Sequence, residues 1–125
     1  LKVLLDTHVL VWWLTDAKQL ARRAREVIAA PTNVVFVSAV SVWELRIKAS
    51  LGKVKLPADF AKVLAEQPFE PLAMTMAHAH ALQQLPMHHR DPFDRMLITQ
   101  ARSDGLTLLT HDEVVSQYEV EHLLV

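Results

Sequence analysis

Val34-Val35-Phe36-Val37 is apolar at every position, the pattern of a strand covered on both faces, as in the middle of a parallel sheet. Before it, residues 19–30 read as a helix. Leu20, Ala24, Val27 and Ile28 share one face, while Arg22, Arg23, Arg25 and Glu26 lie mostly away from it. Pro31-Thr32-Asn33 ends that helix and turns the chain into the strand. Further back, Lys2 to Leu5 is a second short apolar run fit for a buried strand. Beyond it, Ser41 through Ser50 predicts a helix stopped by Gly52, and Phe60, Val63 and Leu64 mark a short amphipathic one. Residues 70–74 are a strand candidate, and Thr75 can cap a helix running to Leu85. Pro92 opens a helix that holds Met96, Leu97, Ile98 and Ala101, with Gly105 where a C-cap glycine belongs. Leu106 to Leu109 is a strand, followed by a turn and a final short helix or strand. Strands alternating with helices predict an α/β fold, a doubly wound sheet with its functional crevice beyond the carboxyl ends of the strands.

Four segments end an apolar run on an acid: Val3-Leu4-Leu5-Asp6-Thr7, Ser41-Val42-Trp43-Glu44, Arg90-Asp91-Pro92-Phe93-Asp94 and Leu108-Leu109-Thr110-His111-Asp112. Singly, each acid has a local explanation. Ser41-x-x-Glu44 reads as a capping box, Asp91 before Pro92 as an N-cap, Asp112 as the cap of a last helix, and Asp6 as the start of a turn with Thr7. Together they demand more. Parallel strands would bring several of these acids to within roughly 5 Å of one another, where each pair repels by about 3 kcal/mol at an effective dielectric near 20. Capping gives no reason to gather that repulsion, whereas Mg²⁺ or Mn²⁺ removes it, because hard cations take carboxylate oxygens. Asp94, one turn into its helix, is the acid expected to face the pocket, with Asp91 chiefly structural.

At 125 residues, with no internal repeat and no Gly/Ser linker, the chain reads as a single domain spanning residues 1–125. Hydrophobic residues are 51% and charged residues 22%, ordinary for a globular protein, and the net charge of -1 gives no overall basic character for nucleic acid. Cysteine is absent, which excludes disulfides and thiolate chemistry and fits a cytoplasmic location. No apolar run reaches the length of a membrane span, and Val9 to Leu14 lacks the flanks of a signal peptide.

Leu4-Leu5-Asp6-Thr7-His8, Ser38 through Glu44 with Gly52-Lys53 after it, His89 through Ile98, and Leu108 through Asp112 resemble the PIN-domain ribonucleases. The resemblance is strongest to the VapC toxins of toxin–antitoxin pairs, and it runs in order over almost the whole chain. His89-Arg90-Asp91-Pro92-Phe93-Asp94-Arg95 is its most specific piece. The resemblance implies a three-layer α/β/α fold with a central parallel sheet and Mg²⁺- or Mn²⁺-dependent endoribonuclease activity. It assigns Asp6, Glu44, Asp94 and Asp112 as catalytic, with Thr110 at a position that often carries a small hydroxyl residue near the metal. Metal would be held by Asp6, Asp94 and Asp112, while Glu44 orients the attacking water, takes its proton or binds a second cation. The implied partners are an RNA substrate, a second copy in a homodimer, and an antitoxin whose tail enters the acidic groove.

Arg46, Lys48, Lys53 and Lys55 could touch an RNA backbone or form a solvated face. Arg90 and Arg95 could bind phosphate or pair with a carboxylate. Trp12 and Trp13 could stack on bases, but core or dimer contact is the simpler reading. Two rivals stand beside the nuclease: a phosphatase using Asp6 as nucleophile, and a catalytically inactive binding module.

Overall fold

Strand β1 (Lys2–Leu5) is the centre of the molecule, because its two neighbours pair with it on either side. The structure, a computed structural model, describes residues 1–88 and 91–125. After β1 come α1 (Thr7–Leu14), α2 (Arg22–Ala29), β2 (Val34–Ser38), α3 (Ala39–Ser50), α4 (Phe60–Ala65) and β3 (Phe69–Leu72). Then follow α5 (Met76–Ala81), α6 (Pro92–Asp104), β4 (Thr107–Thr110) and β5 (His122–Leu124). Short 3-10 turns at Leu82–Gln84 and Glu113–Gln117 connect the later elements. The five strands lie in the order β3-β2-β1-β4-β5, and every pairing is parallel. The chain therefore winds outward in both directions from β1, and the switch point lies between β1 and β4.

Alternate residues of the strands feed two cores. Val3, Leu5, Val35, Val37 and Leu109 join Val9, Leu10, Ala24, Ile28 and Phe60 on the face covered by α1, α2 and α4. Leu4 and Leu108 join Met96, Leu97, Ile98, Ala101 and Tyr118 on the face covered by α6. This is the parallel α/β sheet that the sequence pattern predicts, in the three-layer α/β/α arrangement that the resemblance implies. Its central strands are buried on both faces: Val3, Leu4 and Leu109 are 0% exposed, each contributing about 1.5–3 kcal/mol through burial. Strand β2 departs from its reading as fully covered, since Val34 is exposed and Phe36 only half-buried. Among the described residues no helix is long and apolar enough to cross a membrane.

Several local readings shift. The apolar run Val9 to Leu14 is the body of α1, a helix the sequence reading did not assign. Helix α3 starts before Ser41: Ser38 is its N-cap, its Oγ accepting from the Val40 N–H. Ser41 thus lies inside the helix, and no capping box forms with Glu44. The helix expected to run to Leu85 ends as an α-helix at Ala81. Thr75 caps it as foreseen, in a reciprocal pair with His78. Gly105 closes α6 in the left-handed region at φ 66°.

Candidate active site

Asp6 follows the last residue of β1, and its side chain is spent in two directions. Oδ1 accepts from the His8 N–H at 3.3 Å, capping α1. Oδ2 accepts from the Thr110 hydroxyl at 2.7 Å, which ties the end of β1 to the end of β4. That hydroxyl in turn accepts from the Asp112 N–H at 3.0 Å, so one threonine sets both strand-end acids. Asp112 caps the 3-10 turn after β4 through the Val114 N–H. Asp91 caps α6, its Oδ1 accepting from the Phe93 and Asp94 N–H groups. Capping and gathering of acids therefore coexist: the caps fix where the carboxylates stand.

A cleft of about 540 Å³ opens at this end of the sheet, lined by Asp6, Asp94, Asp112 and Glu113 together with His8, Trp12, His111 and Val114. Asp6, Asp94 and Asp112, singled out in the sequence, thus share one wall space at the switch point. Glu44 is 2% exposed on α3 and stands close enough to Asp6 to disfavour its ionised form. Thr7 donates from its hydroxyl to Ser41 Oγ at 3.0 Å, pinning the start of α1 to α3. Burial pushes the Asp6 carboxyl above its ordinary 3.8 despite the hydrogen bonds from Thr110 and the His8 backbone, and Glu44 adds to the rise. Glu44 is half-satisfied. Its Oε2 accepts from Lys48 Nζ at 2.5 Å, one helical turn on, while Oε1 is buried and has no hydrogen-bond partner among the described residues. Burial works against the charge on Lys48, yet the hydrogen bond and attraction of Glu44, then Asp91 and Asp94, hold its ammonium above the usual lysine value.

The donor set fits a hard divalent cation. Its acids are oxygen donors, and near Asp6, though not in the cleft lining, Glu44 Oε1 is a buried carboxylate oxygen without a donor among the described residues. Among the described residues no three His, Asp or Glu groups close into a cage around one point, so the tight cluster expected from the sequence is instead a lined cleft.

The basic residues that could contact phosphate are mostly engaged elsewhere. Lys48 is committed to Glu44. Arg95 is buried, and its guanidinium donates to the carbonyls of Pro86 at 2.8 Å and Leu85 at 3.3 Å; among the described residues it pairs with no acid, and it ties down the chain ahead of α6. Arg90 lies outside the described residues. Arg46 sits over the Phe60 ring at 5.1 Å. The two tryptophans separate. Trp13 donates from Nε1 to Gln67 Oε1 and packs near Phe69, whereas Trp12 lines the acidic cleft. That position is legible only once α1 is known to be a helix, because His8 and Trp12 are then one turn apart on one face. A second, apolar concavity of about 860 Å³ lies between α3, α4 and β3, lined by Val42, Trp43, Phe60, Leu64, Phe69 and Leu72 among others.

Fold and site together define an α/β protein with a carboxylate-lined cleft at the switch point of a parallel sheet. The chain belongs to the PIN domain family, which residues 3–121 match. It is 30% identical to Ribonuclease VapC22 of Mycobacterium tuberculosis (strain ATCC 25618 / H37Rv) over 114 residues, covering 88% of this chain and 86% of that protein. Its fold resembles the crystal structure of VapBC2 from Rickettsia felis bound to a promoter DNA fragment, with a TM-score of 0.74, 12% identity, and 100% and 99% of the two chains covered. It also resembles VapBC-5 of Mycobacterium tuberculosis, a member of the VapBC family of toxin-antitoxin systems, with a TM-score of 0.63, 22% identity, and 99% and 98% covered.

Proposed function

We propose that this protein is a toxin-type endoribonuclease that hydrolyses RNA phosphodiester bonds with Mg²⁺ or Mn²⁺ as cofactor. The observation that carries the reading is the cleft shared by Asp6, Asp94 and Asp112 beside the buried Glu44. The relationship to a VapC ribonuclease points to the same chemistry.

Asp6, Asp94 and Asp112 would hold the cation. When bound, it lowers the pKa of a coordinated water and stabilises charge on the phosphoryl oxygens. Thr110 keeps Asp6 Oδ2 oriented and, by accepting from the Asp112 N–H, keeps both acids in register. Glu44 has one oxygen held by Lys48 and the other without a partner among the described residues, which leaves Oε1 to orient the attacking water, take its proton or bind a second cation. Attack forms a new P–O bond as the bond to the leaving ribose oxygen breaks, and that oxygen leaves protonated by solvent.

The partners in this reading are RNA, a second copy of the chain in a homodimer, and an antitoxin polypeptide; the site of action is the cytoplasm. Solved relatives described as toxin-antitoxin complexes support the antitoxin. The deciding experiment incubates the purified, antitoxin-free protein with pooled tRNA and ribosomal RNA under Mg²⁺, Mn²⁺ or EDTA, beside Asp94→Asn. Discrete metal-dependent products that disappear in the variant are expected. Identical behaviour of the two proteins would assign any cleavage to contamination and refute the reading.

A further inference from the structure

The acidic cleft has a second wall that the phosphate chemistry does not use. His8, Trp12 and His111 stand there together. The Trp12 ring meets the edge of His111 with centroids 5.2 Å apart at 74°, and lies 6.1 Å from His8 at 34°. Trp12 and His111 are anchored. Trp12 packs against the core under α1. His111 is hydrogen-bonded through Nδ1 to the Val125 carbonyl, which makes Nδ1–H the donor. His8 and Trp12 ride on the helix that Asp6 caps, so their spacing from the first carboxylate is fixed.

Among the described residues that line the cleft there is no lysine or arginine, and four are acids. The formal charge of the whole chain, -1, adds no attraction for a polyanion. Among those lining residues, the surface beside the acids that is offered to RNA is largely aromatic. Aromatic side chains bind unpaired bases by stacking, with little dependence on which base is present.

We infer that His8, Trp12 and His111 form a nucleobase subsite, on which an unpaired base next to the scissile phosphate stacks against Trp12. The inference rests on the ribonuclease reading for its substrate but not for its test. Trp13, the neighbour in sequence, takes no part because its ring and Nε1 are engaged elsewhere. The subsite selects single-stranded or looped RNA, since a paired base cannot present its face, and it favours purines over pyrimidines through their larger stacking area.

The test uses AMP and ribose 5-phosphate, which share the sugar and phosphate and differ in the base. Indole N–H and histidine ring signals are followed by NMR with Mg²⁺ present. AMP should shift the Trp12, His8 and His111 signals and leave Trp13 unmoved, with ribose 5-phosphate much weaker at the same concentration. Trp12→Phe should retain AMP binding, and Trp12→Leu should weaken it about fivefold to a hundredfold. His111→Ala should also weaken it, which supplies a second variant should the leucine protein fold poorly. Equal shifts by the two ligands, or an AMP response unchanged in both Trp12→Leu and His111→Ala, would overturn the subsite. Because the readout is binding, a protein that binds AMP on Trp12 but cuts no RNA would remove the nuclease reading and leave the subsite standing.

Discussion

At the scale of single residues, the site is a set of carboxylates whose charges are unequally compensated. Asp6 is buried with a hydroxyl and an amide as its donors among the described residues, and burial raises its carboxyl. A raised folded-state value means that the native protein holds the proton over a pH range where the unfolded chain has lost it. Stability therefore falls as pH rises from the ordinary value near 3.8 through the raised one. Asp6→Asn carries no such charge. It loses one acceptor at every pH, but the gap between wild type and variant should move in the variant's favour as pH rises. Urea midpoints in EDTA from pH 4 to 7 measure this, and parallel curves would mean that burial does not penalise Asp6. Glu44 differs because Lys48 supplies a countercharge. Lys48→Met leaves a carboxylate that is 2% exposed without its partner, and should cost about 1–3 kcal/mol. The figure stays below that for a fully buried pair because the Lys48 side chain is 32% exposed. Glu44→Gln in that background should recover most of the loss, since a neutral amide needs no countercharge. Denaturant titration of the two single variants and the double variant tests the coupling.

At the scale of elements, helix termini place the chemistry. Asp6 caps α1, Asp91 caps α6 one turn before Asp94, and Asp112 caps the turn after β4. For Asp6 and Asp112 the cap and the cleft wall are one geometry, because a cap holds a carboxylate at a helix start, where a parallel sheet delivers it to the crevice; at α6 Asp91 caps and Asp94 lines the cleft. The far end of α6 is closed by Gly105 at φ 66°, with open space where a Cβ would stand. Gly105→Ala therefore meets no clash and costs only the backbone preference, roughly 1–2 kcal/mol. Stability by urea melt should drop by that amount while RNA cleavage at 25 °C is unchanged; a loss of cleavage in a folded variant would show that this end of α6 reaches the site.

At the scale of the whole molecule, two windings from β1 bring residues from the two ends of the chain together. The Thr110–Asp6 hydrogen bond spans 104 positions. A cation in the cleft binds only the folded arrangement, so it should stabilise the protein by about 2.7 kcal/mol at a hundredfold excess over its Kd, a shift of several degrees in Tm. Thermal melts with Mn²⁺ against EDTA should show that shift in wild type and a much smaller one in Asp94→Asn. Equal shifts in both proteins would place the ion elsewhere.

The sequence alone determined the parallel α/β class, because a strand apolar at every position between amphipathic helices leaves few other ways to hide its faces. It also marked Asp6, Glu44, Asp94 and Asp112, since acids at the ends of apolar runs repeat in a way that capping one at a time does not explain. It misjudged what depends on partners distant in the chain. Ser41 reads as a cap until Ser38 is seen to take that place and Thr7 to occupy the Ser41 hydroxyl. Arg95 reads as a phosphate ligand or a carboxylate's partner until the carbonyls of Leu85 and Pro86 claim its guanidinium. Trp12 reads as core or dimer contact, and it does pack against the core, but only the turn of α1 shows that it also stands with His8 and His111 on the cleft wall. Local patterns encode which face of an element is apolar; which side chain meets which across the sheet is settled only when the strands pair.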